Sequence, residues 1–256
     1  KAGVDIQHWV SPSGAKVYFV ESHDLPMIDV QIDFPAGSGF DPAGKSGVAS
    51  LTQSLLDAGA GDIDEEQLAE RIDDLGAQIS GSTDSDRAGM AVRSLSSQKE
   101  RDAALALVKL MLEKPAYDEA ALTREKARTI AALQDADTRP DTIAAKRFSA
   151  LIYPNHPYGA TPDPASVGAI TRADLVAFHR EHYVAERAVV SIIGDVSRAE
   201  AEAIAQRLTE NLPRANAAAV ELPPVTLPQA TTVKLPHPAA QSHIYLGMPG
   251  ISRTDP

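Results

Sequence analysis

The chain has no cysteine, which removes disulfides and thiolate chemistry from consideration and leaves the cellular compartment open. No apolar run approaches the ~20 residues that a membrane-spanning helix requires. Basic residues are scarce: 24 Lys and Arg stand against 35 Asp and Glu, for a formal net charge of -11. Nucleic acid and anionic membranes are therefore poor partners, because a phosphate surface is met by clustered Lys and Arg. A peptide or protein partner fits this charge better. What remains is a globular composition, 43% hydrophobic over 256 residues, enough to bury one large domain or one and a half. The start at Lys1 in place of Met reads as a processed or trimmed N-terminus. The expected location is periplasmic or otherwise exported, with the cytoplasm left open.

The stretch around which the rest is arranged is Asp41 to Gly59, DPAGKSGVASLTQSLLDAG. Here a Pro/Gly turn carries an extended apolar segment, Met27 to Phe34, into an amphipathic helix that stops at Gly59. Val48, Leu51, Leu55 and Ala58 recur at helical spacing and form one stripe; Ser46, Ser50, Gln53, Ser54 and Asp57 form the other. Gly39, Gly44, Lys45 and Ser46 formally spell the phosphate-cradling GxxxxGKS, with Val189 to Ile193 and Asp195 as a possible magnesium-binding strand. Inside that loop, however, Pro42 has no N–H to give and the Asp41 carboxylate repels an anion. Nucleotide binding is therefore the minor alternative.

Along the chain, Ile6 to Val10 and Lys16 to Glu21 read as a hairpin, and Met27 to Phe34 as a third strand. Asp62 to Leu75 reads as a helix capped by Asp64 and ended by Gly76. Gln78 to Thr83 and Ala88 to Leu95 are two more strands. Helices are expected over Ser97 to Leu112, with Ala103, Leu107, Leu110 and Met111 inward, and over Asp118 to Asp137, Thr142 to Tyr153, Thr171 to His182 and Ser197 to Asn211. Arg187 to Gly194 is a buried strand. His179, Glu181 and His182 sit close together, and His at i and i+3 on one helix face makes a surface metal site conceivable; a packed helix end is the plainer reading. His156 falls in a turn. Ala215 to Pro228 is rich in Ala and Pro without period, as a linker is, and Thr231 to Leu235 and Gln241 to Gly247 are strand-like again.

Gly37, Ser38, the turn at Asp41 to Gly44, Gly47, Ala49, the helix to Gly59, the run Asn155-His156-Pro157-Tyr158-Gly159, the Ser166-Val167 step and Gly194-Asp195 together resemble the M16 (pitrilysin, insulinase and mitochondrial processing peptidase) family. The resemblance covers Ile6 to Pro213 in order. In that family the helix carries HxxEH: two His at i and i+4 hold zinc, and the Glu between them acts as general base on the bound water. The resemblance puts Ser50, Gln53 and Ser54 at those three positions and Ala132 where the third ligand, a Glu, would stand. Glu125 matches the Glu that supports the ligands from behind. It also puts Ser80, Gly81, Ser82 and Thr83 on the edge strand, where the family's Asn-Ala-x-Thr element receives substrate as an added strand.

The implied fold is α+β, a mostly antiparallel sheet of about six strands with helices packed on one face. The expected organisation is an M16-like domain over 1–214, an Ala/Pro-rich linker over 215–230 and the start of a second, truncated M16-like domain over 231–256. The function this implies is a non-catalytic subunit that carries no cofactor, pairs with an HxxEH-bearing homologue holding the zinc, and helps enclose a peptide substrate. A scaffold homologue without a peptidase partner is the main alternative.

Overall fold

The computed structural model describes residues 3–253 and residue 255. Strands β1 (Gln7–Val10) and β2 (Lys16–Glu21) form the expected hairpin, and β3 (Met27–Phe34) leads into helix α1 (Val48–Ser54). There follow α2 (Glu65–Asp74), β4 (Gln78–Thr83), β5 (Ala88–Leu95), α3 (Gln98–Glu113), α4 (Glu119–Ala136) and α5 (Pro140–Ile152). Short α6 (Pro164–Gly168), then α7 (Arg172–His182), β6 (Val189–Gly194) and α8 (Arg198–Thr209) complete the elements.

The six strands make one sheet in the order β1-β2-β6-β3-β5-β4. Every pairing is antiparallel except β2 with β6. Strand alternation sorts the side chains. Val17, Phe19, Ile28, Val30, Ile32, Phe34, Met90, Val92, Val190 and Ile192 are buried with the apolar stripes of α1, α3 and α8. Most intervening residues, among them Tyr18, Asp29, Gln31 and Arg93, stay at least partly open on the other face. β6 is the insertion that closes the sheet: it lies between β2 and β3, so the hairpin at the start of the chain reaches the rest of the sheet only through residues 189–194.

One close approach sets α1 in place. The turn at Gly37 to Gly39 docks on the β4–β5 connection, with the N–H groups of Gly37, Ser38 and Gly39 donating to the carbonyls of Asp86, Asp84 and Ser85 at 3.2, 3.0 and 2.8 Å. A Cβ at Gly37 would fall inside the contact shell of Asp84 O and Asp86 N, both backbone atoms that cannot swing away.

The structure differs from the sequence reading at several places, and Ala103, read as inward, is exposed on α3 because nearly the whole run to Leu112 is apolar. The helix expected to run to Gly59 is α-helical only to Ser54 and tightens into a 3-10 turn at Leu55–Asp57, ahead of Gly59 at φ +100°. α6 was not expected as a helix; Pro164 at its first turn and the reciprocal bonds of Asp163 and Ser166 start it. Thr231 to Leu235 and Gln241 to Gly247 are not strands, since no neighbouring strand takes up their backbone groups among the described residues. The chain after α8 is instead fastened at points: His156 Nε2 donates to Pro223 O at 2.8 Å, and the Tyr245 hydroxyl donates to Asp141 O at 3.3 Å beside the Phe148 ring.

Gly37→Ala is expected to lower unfolding free energy by about 1–3 kcal/mol, the usual cost of forcing an extra carbon into a packed site. Urea denaturation measures it, and an unchanged midpoint would mean that the turn and the β4–β5 connection are not in contact.

Candidate functional site

The site is built on α1, and α1 begins because of Asp41. Its carboxylate accepts from the N–H of Gly47 at 2.9 Å and of Ala49 at 2.7 Å, satisfying donors that a helix start leaves unpaired. Burial pushes the Asp41 carboxyl up, and these two N–H bonds draw it back only in part. Gly47 takes φ +113° so that the chain can turn through this cap.

The same contacts leave no phosphate cradle. Gly39 N–H is spent on Ser85 O, Phe40 and Asp41 N–H close back on Gly37 and Ser38, and Lys45 N–H bonds Pro42 O. Lys45 Nζ pairs with Asp174 at 2.6 Å, and α1 has only seven residues. Gly39, Gly44, Lys45 and Ser46 therefore form a structural turn.

On α1, Val48, Ala49, Leu51 and Thr52 are buried, Ser50 is exposed, and Gln53 and Ser54 are half-buried. Ser54 Oγ donates to Leu51 O at 3.3 Å. The Gln53 carboxamide turns toward the sheet and donates to Gly89 O at 3.4 Å. Ala132 is exposed on α4. None of these four side chains can take up or release a proton near neutrality, and none is a common zinc ligand. The acidic groups nearby are Asp57, Glu65 and Glu125: loss of water raises the Asp57 carboxyl, and the charges of Glu65 and Glu125 raise it further. Glu125 is held by Arg128 at 3.0 Å. Among the described residues no group of three or more His, Cys, Asp or Glu is arranged to hold a metal.

α1 touches β4 and β5, the edge of the sheet. β4 pairs only with β5, so its outer side presents unpaired backbone groups, and all its residues but Ile79 are exposed. Ser80, Gly81, Ser82 and Thr83 all lie on this strand. A cavity of about 530 Å³ lined by Pro26, Leu95, Ser96, Arg101, Asp195 and Glu200 opens at the other end of β5 from Gly89, away from these residues.

The histidines of α7 are in the core. His179 Nε2 donates to Leu112 O at 2.7 Å while its ring stacks on Tyr183, and His182 lies against Phe40 and Phe178. The spacing does place them on one face of the helix, but that face is turned inward, so there is no surface metal site. Burial lowers both imidazoles below their ordinary value. Sequence reasoning missed the Asp41 cap, the direction of Gln53 and the anchoring role of His156. A carboxylate six and eight residues from the N–H groups it caps leaves no local pattern to read.

A six-stranded mixed sheet with helices on one face and a short helix lying over its edge strand defines the class, and comparison with known proteins identifies the family. The model of "Insulinase (Peptidase family M16)" matches residues 16–162, more than half of the chain, and that of the "Peptidase M16 inactive domain" matches residues 169–256. The chain belongs to the M16 peptidase family and is consistent with a non-catalytic member of it. It is 25% identical over 191 residues to a probable mitochondrial-processing peptidase subunit beta of Arabidopsis thaliana, covering 74% of this chain and 36% of that one. It is 26% identical over 195 residues to an uncharacterised zinc protease of Mycobacterium leprae, covering 75% and 43%. Among solved structures, a peptidase M16 inactive domain from Pseudomonas fluorescens matches with TM-score 0.84 and 34% identity over 89% of this chain and 55% of that one. A protease from Helicobacter pylori shares the fold at TM-score 0.77 and 20% identity, covering 87% and 54%. The chain spans roughly half or less of these curated relatives.

Two outcomes follow from this geometry. Asp41→Ala should cost about 1–2 kcal/mol of stability, as losing a helix cap does, with Asp41→Asn losing less because one acceptor remains; equal stability of all three proteins in urea would contradict the cap. Stability should also fall with acid. The unfolded imidazoles of His179 and His182 protonate near 6.5 and the folded ones only lower, so their contribution is full above 6.5 and is lost as pH drops through the folded values. His23 works in the opposite direction, raised by Asp195 and Glu21, but it is exposed and weighs little. His179→Gln keeps an N–H for Leu112 O and takes no proton, so its melting temperature should decline less between pH 7.5 and 5.5; parallel declines would place His179 outside the core.

Proposed function

We propose that this chain is the zinc-less half of an M16-type peptidase pair. The HxxEH-bearing homologue supplies zinc and the general base, and this chain supplies one wall of the enclosing chamber. The reading rests above all on an open edge strand lying beside a helix whose positions 50, 53 and 54 carry only Ser and Gln. A peptide extended along β4 would gain main-chain hydrogen bonds from Ser80 to Thr83 whatever its sequence, the usual basis of strand addition. The acidic net charge suits a basic peptide. Ser50 and Ser54 lack the adjacent base that a serine nucleophile needs, since among the described residues no imidazole is bonded to either.

The test is to mix the full-length gene product that carries this chain with its HxxEH-bearing homologue from the same source. The product alone should hold no zinc and cleave no fluorogenic peptide, and the mixture should cleave faster than the homologue alone. A mixture that forms a complex without added cleavage would overturn the peptidase-pair reading in favour of a scaffold, and zinc-dependent cleavage by the lone product would overturn both.

A further inference from the structure

Gln53 occupies the position that the family resemblance gives to the general base, yet its side chain has a different employment. Its carboxamide crosses from α1 to the edge of the sheet, where Nε2 donates to Gly89 O of β5. On the way it fills the space beside Gly81 of β4: a Cβ at Gly81 would land on Gln53 Nε2 and lie 2.9 Å from its Cδ. Gly81 has an ordinary strand conformation, so no backbone twist requires glycine there. What a Cβ there would displace is the carboxamide, the far end of a side chain that can swing aside. The side of β4 concerned is the one facing α1, because Gly81 stands opposite Met90 and Ile79 opposite Val92, both of which point into the core.

We propose that Gln53 is a positioning residue for the edge strand: its carboxamide, keyed into the notch left by Gly81 and bonded to Gly89 O, ties α1 to β4 and holds β4 ready to accept a peptide strand. The proposal rests on the peptide-docking reading above, and it gives a physical role to a position vacated by catalysis. The tie matters because, among the described residues, β4 pairs with β5 alone, and the turn at Gly37 to Gly39 fixes only the connection beyond its last residue. An edge strand that frays presents no fixed row of N–H and C=O groups, and the ordering cost then falls on the incoming peptide.

The arrangement makes Gln53 and Gly81 energetically coupled. An alanine at position 81 expels the carboxamide, so Gly81→Ala and Gln53→Ala remove the same contact and the double variant should lose no more than either single one. Two readouts separate the tie from the docking reading. The first is hydrogen exchange at residues 78–83: both single variants should exchange about two- to tenfold faster there, as expected for one lost hydrogen bond, with α3 and β3 amides unchanged. The second is the affinity of a fluorescein-labelled peptide of alternating valine and lysine, which should weaken by a similar factor in both variants. Additive effects in the double variant, or unchanged β4 exchange in Gly81→Ala, would overturn the tie. Coupled exchange with no peptide binding by the unmodified protein would support the tie while overturning the docking reading.

Discussion

The contact on which the site depends is the docking of the Gly37–Gly39 turn against the β4–β5 connection. It joins the end of the third strand to the tip of the edge hairpin and leaves room for nothing larger than hydrogen at Gly37. From there the chain needs only a few residues to reach Asp41, whose carboxylate starts α1. A seven-residue helix has no stability of its own in water. α1 exists because Val48, Leu51 and the following Leu55 and Leu56 are buried and because its first N–H groups are satisfied in advance. Its position over the sheet edge is thus inherited from the turn.

A second constraint comes from far along the chain. β6 separates β2 from β3, and its strand neighbours bury Val190 and Ile192 completely. β6 thereby completes the sheet, and α7, the helix that precedes it in the chain, packs on α1. Such long-range pairing is slow to form but cooperative once made. The buried rings of His179, His182, Tyr183 and Phe34 pack together behind α1. The region around Ser50, Gln53 and Ser54 is accordingly held from behind by a core in which burial lowers the imidazoles of His179 and His182.

Much of this was legible from residue patterns. Alternation in Val17/Phe19 and in Ile28 to Phe34 gave the strands and their buried sides, and Asp64 announced the cap of α2, to which the structure adds the returning bond of Gln67. The phase of α3 was harder: in the run Ala103 to Leu112 nearly every residue is apolar, so Ala103 was expected inward, whereas Ala104 and Leu105 are buried and Ala103 is exposed. Strand order and the parallel β2–β6 pair leave no local trace. The alternation of Ile244, Leu246 and Met248 looks like a strand, but a strand is defined by its neighbour, and these side chains are exposed. At the site, spacing alone told which residues share α1 with Gln53; only the fold tells that Gln53 reaches across to Gly81 and that the α7 histidines face inward.

On the proposed function, Ser50 and Ser54 on α1 and Ala132 on α4 stand at the zinc-ligand positions of the HxxEH-bearing homologue, and Gln53 stands at its general base. The most direct test is metal content of the unmodified chain beside a variant carrying Ser50→His, Gln53→Glu, Ser54→His and Ala132→Glu, each checked for a cooperative melt and then equilibrated with zinc and dialysed. No zinc should remain on the unmodified chain, and one zinc per folded chain should remain on the variant. Zinc retained by the unmodified chain, or a folded variant that holds none, would contradict it.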